Sequence, residues 1–388
     1  MHHVYLALTQ AQQALNLSPP NPAVGCVLIS PTGKIIGQGH TQAVGGAHAE
    51  VMALLDARAH GESTVGATAY VTLEPCSHFG RTPPCCNALI EAKVTKVVIA
   101  LLDPNPLVAG KGVELMKKAG IEVEVLPVDH PQAVAAKELM IGFFSRMVRK
   151  TPWVRMKIAA SLDGKTALGA HGKGQSKWIT SSEARDDGHA WRARAGAILT
   201  GIGTVLADDP SLDVRAVPTH RQPHVVIVDS ELQTPASAKL FAINNIAKEA
   251  INTPARCVFI YTNSSDLTKI SALEAAGATV ITLANSGAYD KVDLRLMMQD
   301  LGQREINELH VEAGAVLNGA LISAGLVDEF LIYLAPKLLG AKDSNGRGMA
   351  DFAPLADLTH ALPLDFVSVD KVGPDVRLLA RVTGRDTF

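Results

Sequence analysis

Four residues in the first quarter of the chain are of the types that bind a transition metal and move a proton. His48 and Glu50 stand two positions apart at the start of a predicted helix, and Cys76 and Cys85 lie in the following loop EPCSHFGRTPPC. Imidazole and thiolate are preferred zinc ligands, and structural zinc sites are usually closed by four protein ligands. Three ligands leave one position open, which indicates catalysis. Glu50 points in a different direction around the helix, where it can exchange protons with a metal-activated water.

The cysteines admit other interpretations. The sequence has five of them, an odd number, and Cys85 adjoins Cys86, so metal-binding or buried thiols are favoured over a secreted disulfide framework. Cys86 is an alternative ligand, although the tandem prolines Pro83 and Pro84 directly before Cys85 favour Cys85. These prolines also stiffen the segment that separates Cys76 from Cys85, and they hold the two thiolates apart so that both can face one ion.

The surrounding pattern predicts the elements that position these residues. A helix begins the chain and ends at SPPNP, and it is followed by strands AVGCVLIS and KIIGQGH, helix HAEVMALLDARAH and strand AYVTL. After the loop come a helix, a strand, a helix and a strand that ends near residue 127. The order α-β-β-α-β-α-β-α-β predicts a three-layer α/β/α sandwich. The helical stretch PQAVAAKELMIGFFSRMVRK follows it and leads to the second half of the chain.

A second series of strands and helices begins after that stretch. Apolar, β-branched runs such as VRMKIAAS, HVVIVDS and CVFIYT alternate with helical segments, which indicates a mainly parallel sheet. A chain of 388 residues is also longer than one hydrophobic core usually serves. We therefore predict two α/β domains, residues 1–145 and 146–388, without an internal repeat.

The overall composition excludes several classes of function. The chain is 47% hydrophobic and 19% charged with a net charge of −2, whereas nucleic-acid-binding domains are usually basic. The N-terminal segment lacks the apolar run of a signal peptide, and no stretch of about 18 apolar residues follows anywhere. These features predict a cytoplasmic protein that acts on small molecules, with neither nucleic acid nor a membrane as a partner.

The metal-binding pattern has a family likeness. His-x-Glu followed by Pro-Cys and a second Cys resembles the zinc nucleoside and nucleobase deaminases. More narrowly, PNPAVG (20–25), GGAHAEVMAL (45–54), TLEPCSHFGRTPPC (72–85) and DPNPLVAGKG (103–112) resemble the RibD family of bacterial riboflavin biosynthesis proteins. The resemblance implies a cytidine deaminase-like domain with zinc on His48, Cys76 and Cys85 and a proton shuttle at Glu50. Its implied reaction removes the 2-amino group of a diaminopyrimidinone ribosylamino 5′-phosphate, and Asn21 in the PNP turn is expected to contact the pyrimidine.

The second half resembles the reductase half of the same family. The segments are KIAASLDGKTA, SKWITS, GIGTVLADDPSLDVR and VEAGAVLNGAL, and the resemblance implies a dihydrofolate reductase-like domain that uses NADPH to reduce the ribose to a ribityl chain. Glycines at strand ends, such as Gly201 and Gly203, are compatible because they let backbone approach a phosphate. The implied cofactor contacts are Ala159, Trp178, Thr204, Asp208, Ser230, Gly314, Ala315, Val316, Leu317, Asn318, Gly319 and Ala320. The implied substrate contacts are Ser176, Arg192, Leu212, Arg215 and Glu312.

Some questions about the second half stay open. The family commonly has Glu-Gly-Gly where this chain has Glu312-Ala313-Gly314, and a positive φ at Ala313 would cost about 1–2 kcal/mol. We expect an ordinary β conformation there. Lys157, Asp163 and Glu312 are candidate proton donors. The alternative function is a zinc deaminase fused to a non-catalytic nucleotide-binding module, and in either case we expect a homo-oligomer.

Overall fold

The chain folds into two compact units. The computed structural model describes residues 2–78, 83–105, 109–168, 178–242, 256–283, 291–340 and 347–388. The first unit ends at Lys150 and also includes Phe388, and the second unit runs from Thr151 to Thr387. The predicted boundary falls slightly earlier, within a helix whose residues Phe143 and Phe144 pack in the core of the first unit.

The first unit contains a five-stranded sheet in the order β2-β1-β3-β4-β5. Strand β1 is antiparallel to β2 and to β3, while β3, β4 and β5 are parallel. Its elements are α1 His2–Ala14, β1 Gly25–Ile29, β2 Ile35–His40, α2 Ala49–Ala59, β3 Thr68–Val71, α3 Cys85–Glu91, β4 Lys96–Ile99, α4 Lys111–Lys118, β5 Glu122–Val125, α5 Pro131–Leu139 and α6 Ile141–Arg149. This order confirms the predicted one, except that the last helical stretch is two helices that meet at Met140.

Helices cover both faces of the first sheet. Alternate residues of β1 face opposite sides, so Val27 and Ile29 pack with Ala7 of α1 while Cys26 and Leu28 join the core that contains Ala53 of α2. This arrangement is the predicted α/β/α sandwich.

The second unit is built on a nine-stranded sheet. Its elements are β6 Trp153–Ser161, α7 Ser182–Arg194, β7 Ala197–Gly201, α8 Ile202–Asp208, β8 His224–Val228, β9 Val258–Thr262, α9 Leu267–Ala275, β10 Ala278–Thr282, α10 Leu294–Gln303, β11 Glu308–Val311, α11 Ala315–Ser323, β12 Glu329–Ala335, a 3₁₀ turn at Leu358–His360, β13 Leu364–Val372 and β14 Asp375–Val382. The strand order is β10-β9-β8-β7-β11-β6-β12-β14-β13.

Seven strands of this sheet are parallel, as predicted, and a C-terminal hairpin extends it. The parallel strands are the first seven in the sheet order, from β10 through β6 to β12. Strand β14 is antiparallel to both β12 and β13. The sequence analysis did not identify this hairpin. Two cores lie on opposite faces, since Leu199 of β7 belongs to one and the adjacent Ile198 to the other. Among the described helices, none has the length and apolarity needed to span a membrane.

Candidate active sites

Helix α2 lies very close to the first sheet and carries two predicted site residues at its start. Gly37 and Gly39 of β2 lie beneath it, and a Cβ on Gly39 would be 2.5 Å from the backbone nitrogen of Ala53. Because a larger residue would push the helix away, these glycines fix the position of α2 on the strand. His48 is the N-cap residue of this helix, and Glu50 lies in its first turn.

The predicted zinc ligands converge on one point. His48 Nδ1 lies 3.6 Å from Cys76 Sγ and 3.3 Å from Cys85 Sγ. All three ligand atoms lie within 4.8 Å of one another. Tetrahedral zinc, with bonds of about 2.0–2.3 Å, separates neighbouring ligand atoms by roughly 3.6 Å. The donor types and their spacing therefore fit a zinc ion with three protein ligands.

The two thiols are coupled to each other and to the imidazole. The backbone nitrogen of Cys85 donates to Cys76 Sγ at 3.3 Å. A hydrogen bond from the Cys85 thiol lowers the pKa of Cys76, and the same bond raises the pKa of Cys85. The hydrogen bond with Cys76 also raises the pKa of His48. These shifts favour a thiolate at Cys76, and zinc binding would require the remaining protons of the cluster to be displaced.

Glu50 is a buried carboxyl group beside this cluster. Only 3% of the residue is exposed, and burial, followed by the nearby Cys76, raises its pKa to about 7. A carboxyl group whose pKa lies near neutrality can accept a proton in one step and donate it in the next. Its position in the first turn of α2 places it next to His48 without making it a member of the three-atom cluster.

Cys86 does not point towards the cluster. Its thiol donates a hydrogen bond to the carbonyl oxygen of Pro75 at 3.1 Å, and burial raises its pKa to about 12. Cys85 supplies the sulfur that lies near His48, so the geometry favours Cys85 over Cys86 as a ligand. All five cysteines are free in this structure.

Glu74 supports the loop of Cys76 through contacts that the sequence did not specify. This buried carboxyl group accepts four backbone N–H groups, from Asp103 and Gly110 at one oxygen and from Gly112 and Val113 at the other, at 3.0–3.3 Å. It therefore joins the start of α4 to the loop that carries Cys76. The motif DPNPLVAGKG contains three of these four donors.

The predicted pyrimidine contact lies in a turn before β1. Asn21 is half-buried, and its carbonyl accepts a hydrogen bond from the Ser18 hydroxyl at 3.1 Å. Nothing in this geometry holds the Asn21 side chain away from a ligand, and its contact with the pyrimidine stays a prediction.

In the second unit, two glycine-containing junctions lie side by side. Strand β7 leads through Gly201 into α8, and β11 leads through Gly314 into α11. A Cβ on Gly201 would be 3.3 Å from Leu317, and one on Gly314 would be 4.0 Å from the Thr204 hydroxyl. The open backbone of both junctions thus faces one region at the carboxyl end of the parallel strands, where α/β sheets usually bind ligands.

An ion pair occupies the predicted substrate side of this region. Arg192 Nε and Nη2 donate to the two carboxylate oxygens of Glu312 at 2.5 and 2.8 Å, and Nη1 donates to the Asp213 carbonyl at 2.9 Å. Burial would raise the pKa of Glu312, but Arg192 holds it well below its usual value. Arg215 is exposed and pairs with the Asp213 carboxylate at 2.5 Å. Of the two arginines among the predicted substrate contacts, Arg215 is thus the more accessible.

The other predicted contacts are distributed around the same sheet. Ala159 is a half-buried residue of β6, Thr204 lies in α8, and Ser230 is the second residue after β8. Leu212 is buried with a φ of 48°, a conformation that costs a branched residue energy and often marks a functional loop. Asp208 ends α8 and is exposed, and Trp178 is exposed beside Arg185. Ser176 lies outside the described residues.

The predicted cofactor contacts from Gly314 to Ala320 are only partly accessible. The run forms the first turns of α11, so its members face different directions. Gly314 and Val316 are exposed, whereas Asn318 donates to the Met349 carbonyl and Gly319 is pressed against Asp351. A ligand at this helix start can reach the N–H groups of the first turn, but Asn318 and Gly319 are covered by residues 349–351.

Comparison with known proteins identifies both units. Residues 2–101 match the family described as the cytidine and deoxycytidylate deaminase zinc-binding region, and residues 152–378 match the RibD C-terminal domain. The riboflavin biosynthesis protein RibD of Escherichia coli K12 is 42% identical over 380 residues, 97% of this chain and 98% of that protein. The chain belongs to the RibD family.

Other RibD proteins are similar to this chain along nearly its whole length. RibD of Haemophilus influenzae is 41% identical over 96% of this chain and 94% of its own. The structure of Acinetobacter baumannii RibD, form 1, is 38% identical with a TM-score of 0.83 and covers 98% of both chains. The deaminase/reductase of Thermotoga maritima is 29% identical with a TM-score of 0.80. The first unit is thus a zinc-type deaminase domain and the second a RibD reductase domain, as the resemblance implied.

The alanine at position 313, where the family commonly has glycine, does not strain the backbone. Ala313 is not among the non-glycine residues with positive φ, which confirms the expected ordinary conformation. It packs partly buried against the core of the reductase domain.

Of the three candidate proton donors in this RibD reductase domain, two are held as carboxylates. Asp163 accepts from Ser161 and from the backbone of Leu339 and Gly340, and these bonds lower its pKa to about 2. Glu312 is bound to Arg192 as described. Burial lowers the pKa of Lys157, which leaves this amine as the candidate best able to release a proton.

Proposed function

We propose that this RibD-family chain catalyses two consecutive steps of riboflavin synthesis. In the first step, 2,5-diamino-6-ribosylamino-4(3H)-pyrimidinone 5′-phosphate loses its 2-amino group by hydrolysis at the first unit. In the second, the second unit transfers hydride from NADPH to the ribosyl group and produces the ribityl chain. The observation that supports this most strongly is the His48–Cys76–Cys85 cluster beside buried Glu50, on the same chain as a RibD reductase domain.

In the deaminase step, we assign His48 Nδ1 and the sulfurs of Cys76 and Cys85 to a zinc ion. Zinc bound in this way would supply Lewis acidity and a water activated for attack on the ring carbon. Glu50 takes the proton from the attacking water and gives it to the leaving ammonia, for which a pKa of about 7 is suitable. Asn21 orients the pyrimidine.

In the reduction, we assign the chain mainly to binding and orientation, because the nicotinamide itself supplies the hydride. The N–H groups at the start of α11 and the glycine junction before α8 would hold the phosphates of the dinucleotide. Glu312, fixed by Arg192, and exposed Arg215 would hold the substrate, and Lys157 would protonate the ribose oxygen as the ring opens. The choice of NADPH over NADH is part of this proposal.

We further propose that the protein works in the cytoplasm on small molecules and not on nucleic acid. The net charge of −2 supports this, because a nucleic-acid-binding chain would show an excess of positive charge.

The direct test is an assay on the diaminopyrimidinone substrate with zinc, run with and without NADPH. We expect the aminouracil product without NADPH and the ribityl product with it. Chelator-treated enzyme, supplied with the deaminated intermediate, should still reduce it.

Two outcomes would contradict the proposal. If deamination occurs but NADPH and NADH both fail to support reduction, the second unit is a non-catalytic nucleotide-binding module. If the chelator abolishes both activities while the protein stays folded by circular dichroism, the two sites are not independent.

A further inference from the structure

The loop between α8 and β8, which carries two of the predicted substrate contacts, is held at several points by side chains outside it. Leu212 is buried with a φ of 48°, a conformation that persists only where the surrounding structure imposes it. The carbonyl oxygen of the preceding Ser211 accepts a hydrogen bond from Arg256 at 2.9 Å. The carbonyl oxygen of the following Asp213 accepts one from Arg192 Nη1 at 2.9 Å. These two bonds fix the backbone on both sides of Leu212.

Gln222 makes the most complete contact with this loop. Its Oε1 accepts a hydrogen bond from the Val214 nitrogen at 2.7 Å, and its Nε2 donates one to the Val214 carbonyl oxygen at 2.9 Å. A side-chain amide offers an acceptor and a donor side by side, as a peptide group does. Gln222 therefore pairs with buried Val214 as a neighbouring strand would, and one side chain satisfies both of its backbone polar groups.

Gln222 is itself attached to rigid structure. Buried Pro223 follows it and β8 begins immediately afterwards, and a residue before proline is restricted to extended conformations. Arg221 precedes it with only 9% of the residue exposed, and Arg221 Nη2 donates to the Arg194 carbonyl oxygen at 3.2 Å. Gln222 thus holds Val214 at a fixed place relative to the sheet.

The residue whose position depends on Val214 is the next one, Arg215. Its backbone nitrogen donates to His189 Nδ1 at 3.4 Å, and its Nη1 donates to the Asp213 carboxylate at 2.5 Å. The side chain is 57% exposed, and its other N–H groups make no hydrogen bond within the described part of the chain. A guanidinium that is fixed on one side and open on the other is suited to bind a phosphate group.

We infer that Gln222 is a positioning residue of the second unit, which holds Val214 and thereby places the Arg215 guanidinium against the 5′-phosphate of the reductase substrate. The inference rests on the proposed function, because the proposed substrate supplies the phosphate. Gln222 acts through Val214 and Arg215 and does not touch the substrate. Its loss should therefore impair recognition of the phosphate and leave hydride transfer intact.

Reduction kinetics with two substrates test this role. The full-length enzyme receives saturating NADPH and either the deaminated intermediate or the same compound after phosphatase has removed its 5′-phosphate. Gln222→Leu keeps the approximate size of the side chain and removes both bonds to Val214. It should raise KM for the phosphorylated substrate about tenfold, because a misplaced guanidinium loses part of a charge-assisted hydrogen bond. Both kcat and the kcat/KM for the dephosphorylated compound should stay within about twofold of wild type.

The variant Arg215→Ala shows whether Gln222 acts through Arg215. This change should itself remove most of the preference for the phosphorylated substrate. Adding Gln222→Leu to it should then raise KM by less than about twofold, because the effects of residues that act through one contact are not additive. Gln303→Leu, the same change at the exposed end of α10, is the control and should leave every constant unchanged.

A second variant covers the case in which Gln222→Leu does not fold. Gln222→Glu keeps an acceptor for the Val214 nitrogen and loses only the bond to the Val214 carbonyl oxygen. It should raise KM for the phosphorylated substrate in the same direction but by less. Circular dichroism and titration with NADPH, followed by fluorescence, show that each variant is folded and binds the cofactor as wild type does.

The outcomes separate this inference from the proposed function. If wild type does not reduce the deaminated intermediate, the proposed function fails and the inference fails with it. If wild type is active, three results would overturn the inference alone. They are an unchanged KM in both Gln222 variants, an equal loss of activity on both substrates, and a full additional effect of Gln222→Leu in the Arg215→Ala enzyme.

Discussion

The two sites of this chain are built in different ways. In the deaminase unit, the proposed chemistry rests on four side chains, and ligand atoms of three of them lie within 4.8 Å of one another. In the reductase unit, the groups proposed to face the ligands are mainly backbone N–H groups at two strand–helix junctions, and the side chains Arg192 and Glu312 are bound to each other. A metal site must present specific donor atoms, whereas a dinucleotide site can use any residue that leaves its backbone open.

This difference has a practical consequence for substitution. Changing a side chain in the first site should remove an irreplaceable atom, while most single changes in the second should weaken binding or orientation. The predictions below test that contrast, and the largest effect comes first.

Cys85→Ser should abolish zinc binding and deamination, whereas Cys86→Ser should keep both within about tenfold. Serine is a poor zinc ligand in place of a thiolate, but at position 86 its hydroxyl can still donate to the Pro75 carbonyl. Elemental analysis of the purified variants measures the zinc content per chain. If Cys86→Ser lacked zinc while Cys85→Ser retained it, Cys86 and not Cys85 would be the ligand.

Glu50→Gln should lower kcat for deamination by about 10³-fold, because an amide of the same shape cannot transfer protons. Zinc content and reduction of the deaminated intermediate should be unchanged. Ammonia release measures the first activity, and Glu91→Gln, at the exposed end of α3, serves as the control. Deamination within tenfold of wild type would exclude Glu50 as the proton shuttle.

Glu312→Gln should lower kcat/KM for reduction by about 10²-fold and leave deamination unaffected. The change removes the charge that fixes Arg192, and a partly buried arginine without its partner reorients. NADPH oxidation with the deaminated intermediate measures the effect, with Glu274→Gln on exposed α9 as the control. If the contrast between the sites is wrong, deamination will fall together with reduction.

Acid should destabilise the reductase unit through a buried ion network formed by residues of its sheet. Burial would raise the pKa of both Glu308 and Glu329, but Arg194 and Arg155 lower the pKa of Glu308 below the usual 4.5, and Arg155 and Arg381 do the same for Glu329. As the pH falls below about 4.5, the unfolded chain therefore binds these protons before the folded chain does. The free energy of unfolding that the two carboxylates contribute at pH 7 decreases until the pH falls below their pKa values in the folded protein. Urea unfolding from pH 7 to pH 3 should show this loss.

A matched variant isolates the contribution of one carboxylate. Glu329→Gln should be less stable at pH 7, yet its unfolding midpoint should change less with pH below 4.5 than that of wild type. An equal slope would mean that other groups dominate the acid response.

The residues proposed for the deaminase site could be recognised in the sequence because their information is local. His48 and Glu50 share one helix turn, and Cys76 and Cys85 share one loop, so their chemistry is apparent from type and spacing. The pairing of Arg192 with Glu312 was not predicted, since the two residues are far apart in sequence and only the sheet brings them together. For the same reason, the four amides that Glu74 binds were not foreseen.

The fold was predicted where apolar runs alternate with helical segments. All elements of the first unit were identified in order, but the break at Met140 was missed because both flanking segments are helical. Strands β13 and β14 were missed for a different reason. In β13 the alternation of apolar and polar residues is interrupted where Phe366 and Val367 adjoin, because a bulge breaks the usual period of two there.

The carboxylate of Glu74 makes residues distant in sequence behave as part of the metal site. Gly112 packs so tightly behind the loop that a Cβ there would be 2.3 Å from the Pro75 carbonyl and 3.1 Å from the Glu74 carboxylate. In a random-mutation screen for growth without riboflavin, inactivating changes should therefore occur at Gly112 and its neighbours. They would resemble ligand mutants in metal content, although they lie well beyond Cys85 and bear no metal-binding group.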